Sequence, residues 1–263
     1  MSISPTSRIA ASSVVESGAV IGAFVSIGPF CVITAGVVIG EGTQVGACSV
    51  ITGLTTIGRD NIFGQYASIG DVNQDLKYAN EPTTLVIGDR NQIGKNATLH
   101  RGTVQGLSST IVGDDNRFFN SVHIGHDCVV GNRTRIGDNS GLAGHVELND
   151  DAQVGFMCAI HQFCVLGSGA RILDQAGVVQ DVPPFVIAGG NHAKPRGVNV
   201  ESSVFLALDA AQQNLIHELY QRLYHQALAI DDVKSALQMR GSDLPVAALY
   251  ARFFSRSRRG IVR

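Results

Sequence analysis

The sequence predicts an all-β solenoid followed by a small helical domain, and three observations carry that prediction. An aliphatic residue recurs at every sixth position over most of the chain. Glycine reaches 30 residues while aromatics make up only 6% with no Trp, which suits a narrow core without large rings. Near residue 201 the apolar spacing changes from six to three and four. A period of six fits neither an amphipathic helix nor simple strand alternation. It fits short strands bent at regular corners, each side contributing two inward residues to a stacked core.

The repeat begins at Ile3 and runs through Ile9, Val15, Ile21, Ile27, Ile33, Ile39, Val45, Ile51, Ile57, Phe63 and Ile69. The same frame resumes at Ile87, Ile93 and Leu99. After a shift of one it continues from Val112 and Phe118 through Ile124, Val130, Ile136, Leu142, Leu148, Val154, Ile160, Leu166 and Ile172 to Val178. Four residues after the aliphatic position stands a small or medium residue, as at Val25, Cys31, Thr43, Ala67, Ala97 and Cys128. This is the hexapeptide repeat, in which three hexapeptides close one triangular coil of about 18 residues.

Residues 71–86 and 105–111 break the frame and are expected to bulge from the prism, where loops on a rigid scaffold often carry function. The solenoid is expected to span 1–200. From Glu201 onward, Val204, Phe205, Leu208, Ala211, Leu215, Leu219 and Leu223 follow helical spacing, so 201–263 reads as the helical domain. Its end carries Arg252, Arg256, Arg258, Arg259 and Arg263 without an acid, either a solvated face or a dock for an acidic protein partner.

Charged residues are only 16% of the chain and the formal net charge is -2, which excludes a disordered polyelectrolyte or a general nucleic-acid-coating protein. No apolar run approaches the roughly 20 residues that cross a bilayer, and no secretory leader pattern opens the chain, so a cytoplasmic protein without membrane insertion is expected. Five cysteines form no CxxC pair. Cys31, Cys128, Cys158 and Cys164 fall in the small inward position and read as buried core thiols; Cys48 falls outside it.

Positions one coil apart stack at the strand spacing, about 4.8 Å. His126, Gly144 and Gln162 therefore form one column, and Asp127 and His145 the next. His161 precedes Gln162. With 105–111 excised, His100 and Arg101 lie under Gly125 and His126. Five of the eight histidines (His100, His123, His126, His145 and His161) thus crowd neighbouring coils and point to a functional cleft. A neutral imidazole could act there as general base, and three imidazoles could instead hold zinc. The base reading also uses Gly144, whose N–H can approach a substrate closely and stabilise an oxyanion.

Seven segments occur in one order: NQDLKY (73–78), GDRN (88–91), HRGTVQ (100–105), HIGHDC (123–128), LAGHV (142–146), IHQFC (160–164) and QDVPPFVIAGGNHA (180–193). Together they resemble the acyl-[acyl-carrier-protein]:UDP-N-acetylglucosamine O-acyltransferases, the first enzymes of lipid A biosynthesis, over almost the whole chain. The resemblance implies a left-handed parallel β-helix and a homotrimer with sites in the clefts between prisms. It also implies a 3-hydroxyacyl chain passed from acyl carrier protein to the 3-hydroxyl of UDP-N-acetylglucosamine, with no metal or soluble cofactor. His126 would be the general base, Asp127 its orienter and Gly144 the oxyanion donor.

By the same resemblance, Gln74, Asp75, Lys77, His100, His123, His145, His161 and Gln162 match positions that bind the sugar nucleotide or the acyl-phosphopantetheine arm. Asn199 and Glu201 match positions at the uridine or sugar end. Two departures stand out. Ser202–Leu206 lacks the family's basic cluster for the nucleotide phosphates, leaving Lys194, Arg196 or Arg101 as alternatives, and Asp174 occupies the position that limits acyl length. The competing readings are a coenzyme A-dependent hexapeptide acyltransferase on another small acceptor and a γ-type zinc carbonic anhydrase.

Overall fold

The structure is a computed structural model that describes residues 2–263 except 227, 229 and 240–244. Most hexapeptides contribute a two-residue strand, and the strands stack into three parallel sheets that form the faces of a triangular prism. Face A runs from Ser2–Ile3 to Val165–Leu166. Face B runs from Arg8–Ile9 to Arg171–Ile172, and face C from Val14–Val15 to Gly177–Val178. The chain visits A, B and C in turn, so each aliphatic residue lies against its counterpart one coil away, as in Ile21↔Ile39 on face A and Ile33↔Ile51 on face C.

Both interruptions leave the register intact. Ile57 pairs with Ile87 across the first, and Leu99 pairs with Ile124 across the second. Each ends earlier than the sequence frame suggests, because Thr84–Ile87 and Ser109–Val112 are already strands, and the second also begins earlier, right after Thr98–His100. Leu85 and Thr110 point inward two residues before the aliphatic position and are fully buried, so the prism resumes early. The bulges are therefore 72–83 and 101–108, and both leave the corner between faces C and A.

Corners turn through a residue in the left-handed region, three positions after the aliphatic one: Phe24, Tyr66, Asp127 and His145 have φ of 56°, 61°, 58° and 61°. Asp, Asn and His tolerate this conformation better than most side chains. The interior holds continuous aliphatic columns, such as Ile33, Ile51, Ile69, Leu99, Ile124 and Leu142, all without solvent exposure. Cys31, Cys128 and Cys158 sit in the same interior and donate their thiols to the carbonyls of Gly46, Ala143 and Leu173 at 3.1 Å, and Cys164 is equally buried. Burial holds the Cys128 and Cys164 thiols up to about 12, which removes them as nucleophiles.

After Val178 the chain adds Val186–Gly189, parallel to Arg171–Ile172, and returns antiparallel as Lys194–Val198, which covers the end of face B. Among the described residues, four helices follow: α1 (Ser203–Leu206), α2 (Ala210–Tyr220, continued by a π turn at Gln221–His225), α3 (Ile230–Met239) and α4 (Pro245–Arg256). Phe205, Leu215, Leu219 and Leu223 are buried as their spacing suggests. Ala211 faces solvent, and Ile216 takes the inward place beside Leu215. Buried Asp181 pins the chain end to the prism by accepting bonds from the Val165, Arg258 and Arg259 N–H groups and the Ser257 hydroxyl. Among the described residues, no helix is long and apolar enough to cross a membrane.

Candidate active site

The C–A corner carries both bulges and the histidine columns. The pairing of His123–Ile124 with Gly141–Leu142, and of that strand with Ala159–Ile160, stacks His126, Gly144 and Gln162 as the repeat requires. The left-handed turn at Asp127 swings its carboxylate back onto its own chain neighbour, and Asp127 Oδ2 lies 2.9 Å from His126 Nδ1.

Asp127 is held from several sides. Its carboxylate accepts the Thr103 N–H at 3.0 and 3.1 Å, the Thr103 hydroxyl at 2.7 Å and the Leu107 N–H at 2.8 Å. Burial alone would push this carboxyl up. The bonds from His126, Thr103 and Leu107 outweigh it and hold the group below the usual carboxylate range. An ionised Asp127 can only accept, so His126 Nδ1 carries the proton and Nε2 presents a lone pair. Gly106 lies so close that a Cβ there would collide with the Asp127 carboxylate and the His145 ring.

Gly144 has a similar constraint on the other side of the imidazole. A Cβ at Gly144 would sit 2.5 Å from His126 Nε2 and 3.0 Å from Gln162 Nε2, so any side chain would cover the free nitrogen. Among the described residues, no hydrogen-bond acceptor meets the Gly144 N–H. An unpaired donor and a lone-pair nitrogen thus face one small space.

The other histidines surround this pair. His123 accepts or donates to the Thr98 hydroxyl at 2.9 Å, and its ring centroid lies 5.2 Å from that of His100. His100 Nδ1 bonds the Val72 carbonyl at 2.7 Å and so ties down the 72–83 bulge. His145 lies edge-on to His126 and stacks on Phe163 at 4.4 Å. Burial lowers the His123 pKa, with His100 and His126 adding to it. Burial also lowers that of His145 despite the opposing pull of Asp127. Both rings are neutral near pH 7.

Two cavities flank the dyad. One, of about 380 Å³, is lined by Gln74, His100, His123, His126, Gly144 and Gln162. The other, of about 570 Å³, runs along face A past Asp75, Lys77, Asp127, His145 and Gln162 to Arg256 and Arg258. His161 is exposed one step up the corner, with Nδ1 on the Gln162 carbonyl at 3.2 Å, and it lines neither cavity. Asn199 and Glu201 lie elsewhere in the chain. Asn199 is buried and donates to the Gly169 carbonyl at the A–B corner, and Glu201 pairs with Arg171 on face B at 3.2 Å.

His126, Asp127 and His145 are close enough to share a cation. The donor set does not suit one, because Asp127 already meets five N–H and O–H contacts and its oxygen faces the proton on His126. Sequence reasoning missed Thr103 and Gly106. The sequence frame carries the coil on to Gln105, but the chain leaves the prism directly after His100, so no column relates Thr103 or Gly106 to Asp127.

Residues 181–262 match the family model described as Udp N-acetylglucosamine O-acyltransferase, domain 2, and residues 18–53 and 109–144 match the bacterial transferase hexapeptide repeat. Among solved structures, LpxA of Acinetobacter baumannii is 36% identical with a TM-score of 0.87, covering 99% of each chain. The UDP-N-acetylglucosamine acyltransferase of Francisella novicida is 34% identical (TM-score 0.86; 99% of this chain, 94% of that one), and that of Campylobacter jejuni is 31% identical (TM-score 0.90; 97% and 100%).

Proposed function

The chain belongs to the UDP-N-acetylglucosamine O-acyltransferase family of hexapeptide-repeat acyltransferases, and from that premise we propose a reaction and a role for each residue of the site. The substrates are UDP-N-acetylglucosamine and a 3-hydroxyacyl thioester of acyl carrier protein, in the first step of lipid A biosynthesis. The observation that carries this reading is the pairing of His126 Nε2 with the unpartnered Gly144 N–H.

His126 Nε2 takes the proton of the glucosamine 3-hydroxyl as its oxygen attacks the thioester carbonyl. Asp127 keeps the imidazole in the needed tautomer and stabilises the imidazolium that forms. The Gly144 N–H holds the oxyanion of the tetrahedral intermediate. Collapse of that intermediate breaks the C–S bond, and the phosphopantetheine sulfur leaves with the proton from His126. Gln74, His100, His123 and Gln162 line the space for the sugar and the acyl carbonyl. Asp75, Lys77 and His145 flank the second cavity; Arg256 there is held by Glu147 at 3.2 Å, and Lys77 and Arg258 suit the phosphate of a phosphopantetheine arm and an acidic carrier protein.

The site of one chain is incomplete, which favours a homotrimer. Asn199 and Glu201 sit at the A–B corner and on face B, on a different side of the prism from His126. The B–C corner exposes Phe30 (67%), Tyr66 (58%), Met157 (57%) and Phe156 (42%) to solvent in the single chain, spread over coils at both ends of the prism. The A–B corner exposes Phe24 near the start of the prism but in its middle coils carries Asp89, Arg90, Asp114, Asp115 and Arg133. Three prisms packed with B–C corners on the axis bring face C of each against face B of the next. The neighbour's Asn199 and Glu201 then stand across the cleft from His126. His161, exposed at the C–A corner, would meet the same neighbour.

The test is an assay of the purified chain with UDP-N-acetylglucosamine and a panel of 3-hydroxyacyl carrier proteins, read by acylated product. Transfer from coenzyme A thioesters alone, or to another acceptor alone, would overturn the assignment. Asp174, at the B–C corner, lies beside Leu173 and Arg171 in a separate cavity of about 490 Å³ and accepts the Phe156 N–H, so it already has a structural partner.

A further inference from the structure

We propose that Arg117 and Arg135 form the diphosphate clamp for the nucleotide sugar, reaching it from the chain across the cleft; this rests on the trimeric acyltransferase reading. The two residues are direct cross-strand partners on face B, with their side chains on the outer surface. Their rungs are about 4.8 Å apart. Neither makes an ion pair among the described residues. Like charges directly opposite each other destabilise a sheet unless something answers them.

The surroundings leave this pair as the free cations of a polar cavity of about 630 Å³ at the A–B corner. The cavity also holds Arg90 and Arg133, but each is taken. Arg90 binds Asp115 through both branches at 2.7 and 2.9 Å, and Arg133 binds Asp151 at 2.8 Å twice. Those pairings neutralise the two aspartates that would otherwise repel an anion. The Arg117 guanidinium is further ordered by lying 4.8 Å above the Phe119 ring. Ser202 and Ser203 line the same cavity, next in sequence to Glu201. A diphosphate supplies the acceptor oxygens that guanidinium forks bind bidentately.

Position along the prism selects the ligand. In a threefold assembly with its axis along the prism, height follows sequence position within the coils. Residue 126 lies midway between 117 and 135, so the imidazole of one chain is level with this arginine pair of the next. Arg171, the next cation along the column, is already paired with Glu201 at 3.2 Å. A sugar with its 3-hydroxyl on His126 then carries its diphosphate toward Arg117 and Arg135 and its nucleoside toward Asn199 and Glu201. The alternatives named by the sequence are less suited: Arg101 packs against Gly53 at the C–A corner, and Lys194 and Arg196 stand on the last strand of face B.

The double variant Arg117→Gln/Arg135→Gln tests the clamp. The KM for UDP-N-acetylglucosamine should rise about ten- to a hundredfold, with kcat within a few fold and the KM for acyl carrier protein unchanged. UDP should lose its advantage over uridine as a competitive inhibitor. Without ligand the melting temperature should hold or rise, since two facing like charges are gone; a merely structural role would lower it. An active, folded variant with unchanged KM and an undiminished preference for UDP overturns the clamp alone. A wild-type chain that does not acylate UDP-N-acetylglucosamine overturns the underlying reading as well.

Discussion

The Thr103 hydroxyl donates to Asp127 Oδ2 across 2.7 Å, so the carboxylate that orients His126 is itself oriented by the 101–108 bulge. The dyad partners are sequence neighbours, but their geometry depends on a loop from the preceding coil. Fully buried Thr103 also supplies its N–H to both carboxylate oxygens. It is a positioning residue for a base it does not touch.

Thr103→Val keeps the N–H bonds and removes only the hydroxyl donor. We expect kcat to fall about tenfold, as for one charge-assisted hydrogen bond, with KM little changed. The acid limb of the kcat profile should move to higher pH, because losing a donor raises the carboxyl pKa. Thr103→Ser should restore both. A Val variant with an unshifted profile would reduce Thr103 to packing.

His126→Ala and Asp127→Ala should both lose activity, by about 10²–10⁴-fold for the base, but for separable reasons. The histidine variant should keep its oligomeric state and melting temperature. The aspartate variant strands the buried Thr103 N–H, at about 1–3 kcal/mol for an unsatisfied donor, and frees the Leu107 N–H of the exposed bulge. Denaturant titrations of the two proteins should therefore differ in midpoint. Equal stabilities would contradict the clamp around Asp127.

Stability should rise with pH across the acid range, and the sign follows from three groups. His123 and His145 have lowered pKa values in the fold, so the unfolded chain takes up protons first as pH drops through about 6.5. Asp127 acts in the same direction lower down: its contribution is present above about pH 3.9 and is lost as pH falls through its depressed folded value. His145→Gln should flatten the melting-temperature curve between pH 7 and 5. An identical slope would show that His145 does not titrate on unfolding as inferred.

Phe156→Glu/Met157→Glu places like charges on the proposed threefold axis. Sedimentation should show monomers, and far-UV circular dichroism should show an intact solenoid, since both side chains point outward from the coil. Activity should fall with the trimer, because Asn199 and Glu201 of one chain are remote from its own His126. An active monomer would contradict a cleft built from two chains.

The repeat made the fold legible before any coordinates. Ile, Val and Leu every sixth residue leave little choice but stacked coils, and the column of His126, Gly144 and Gln162 follows from counting alone. The same counting mislaid the ends of both bulges, because Leu85 and Thr110 belong to the inward positions that precede the aliphatic one.

By itself, then, the sequence determined what is periodic: the prism, the buried cysteines, and the coils that share the histidines. Only the tertiary structure decided what the bulges touch. Thr103 reaches Asp127 across 24 residues, and His100 reaches the Val72 carbonyl across 28. It also separated Glu201 from His126, placing them on different sides of one prism. The physical reason is that hydrogen-bonded register propagates a repeat locally, coil to coil. Contacts made by inserted loops, and by one face of a prism with its neighbour, are set by where chain ends meet in space, which no period encodes.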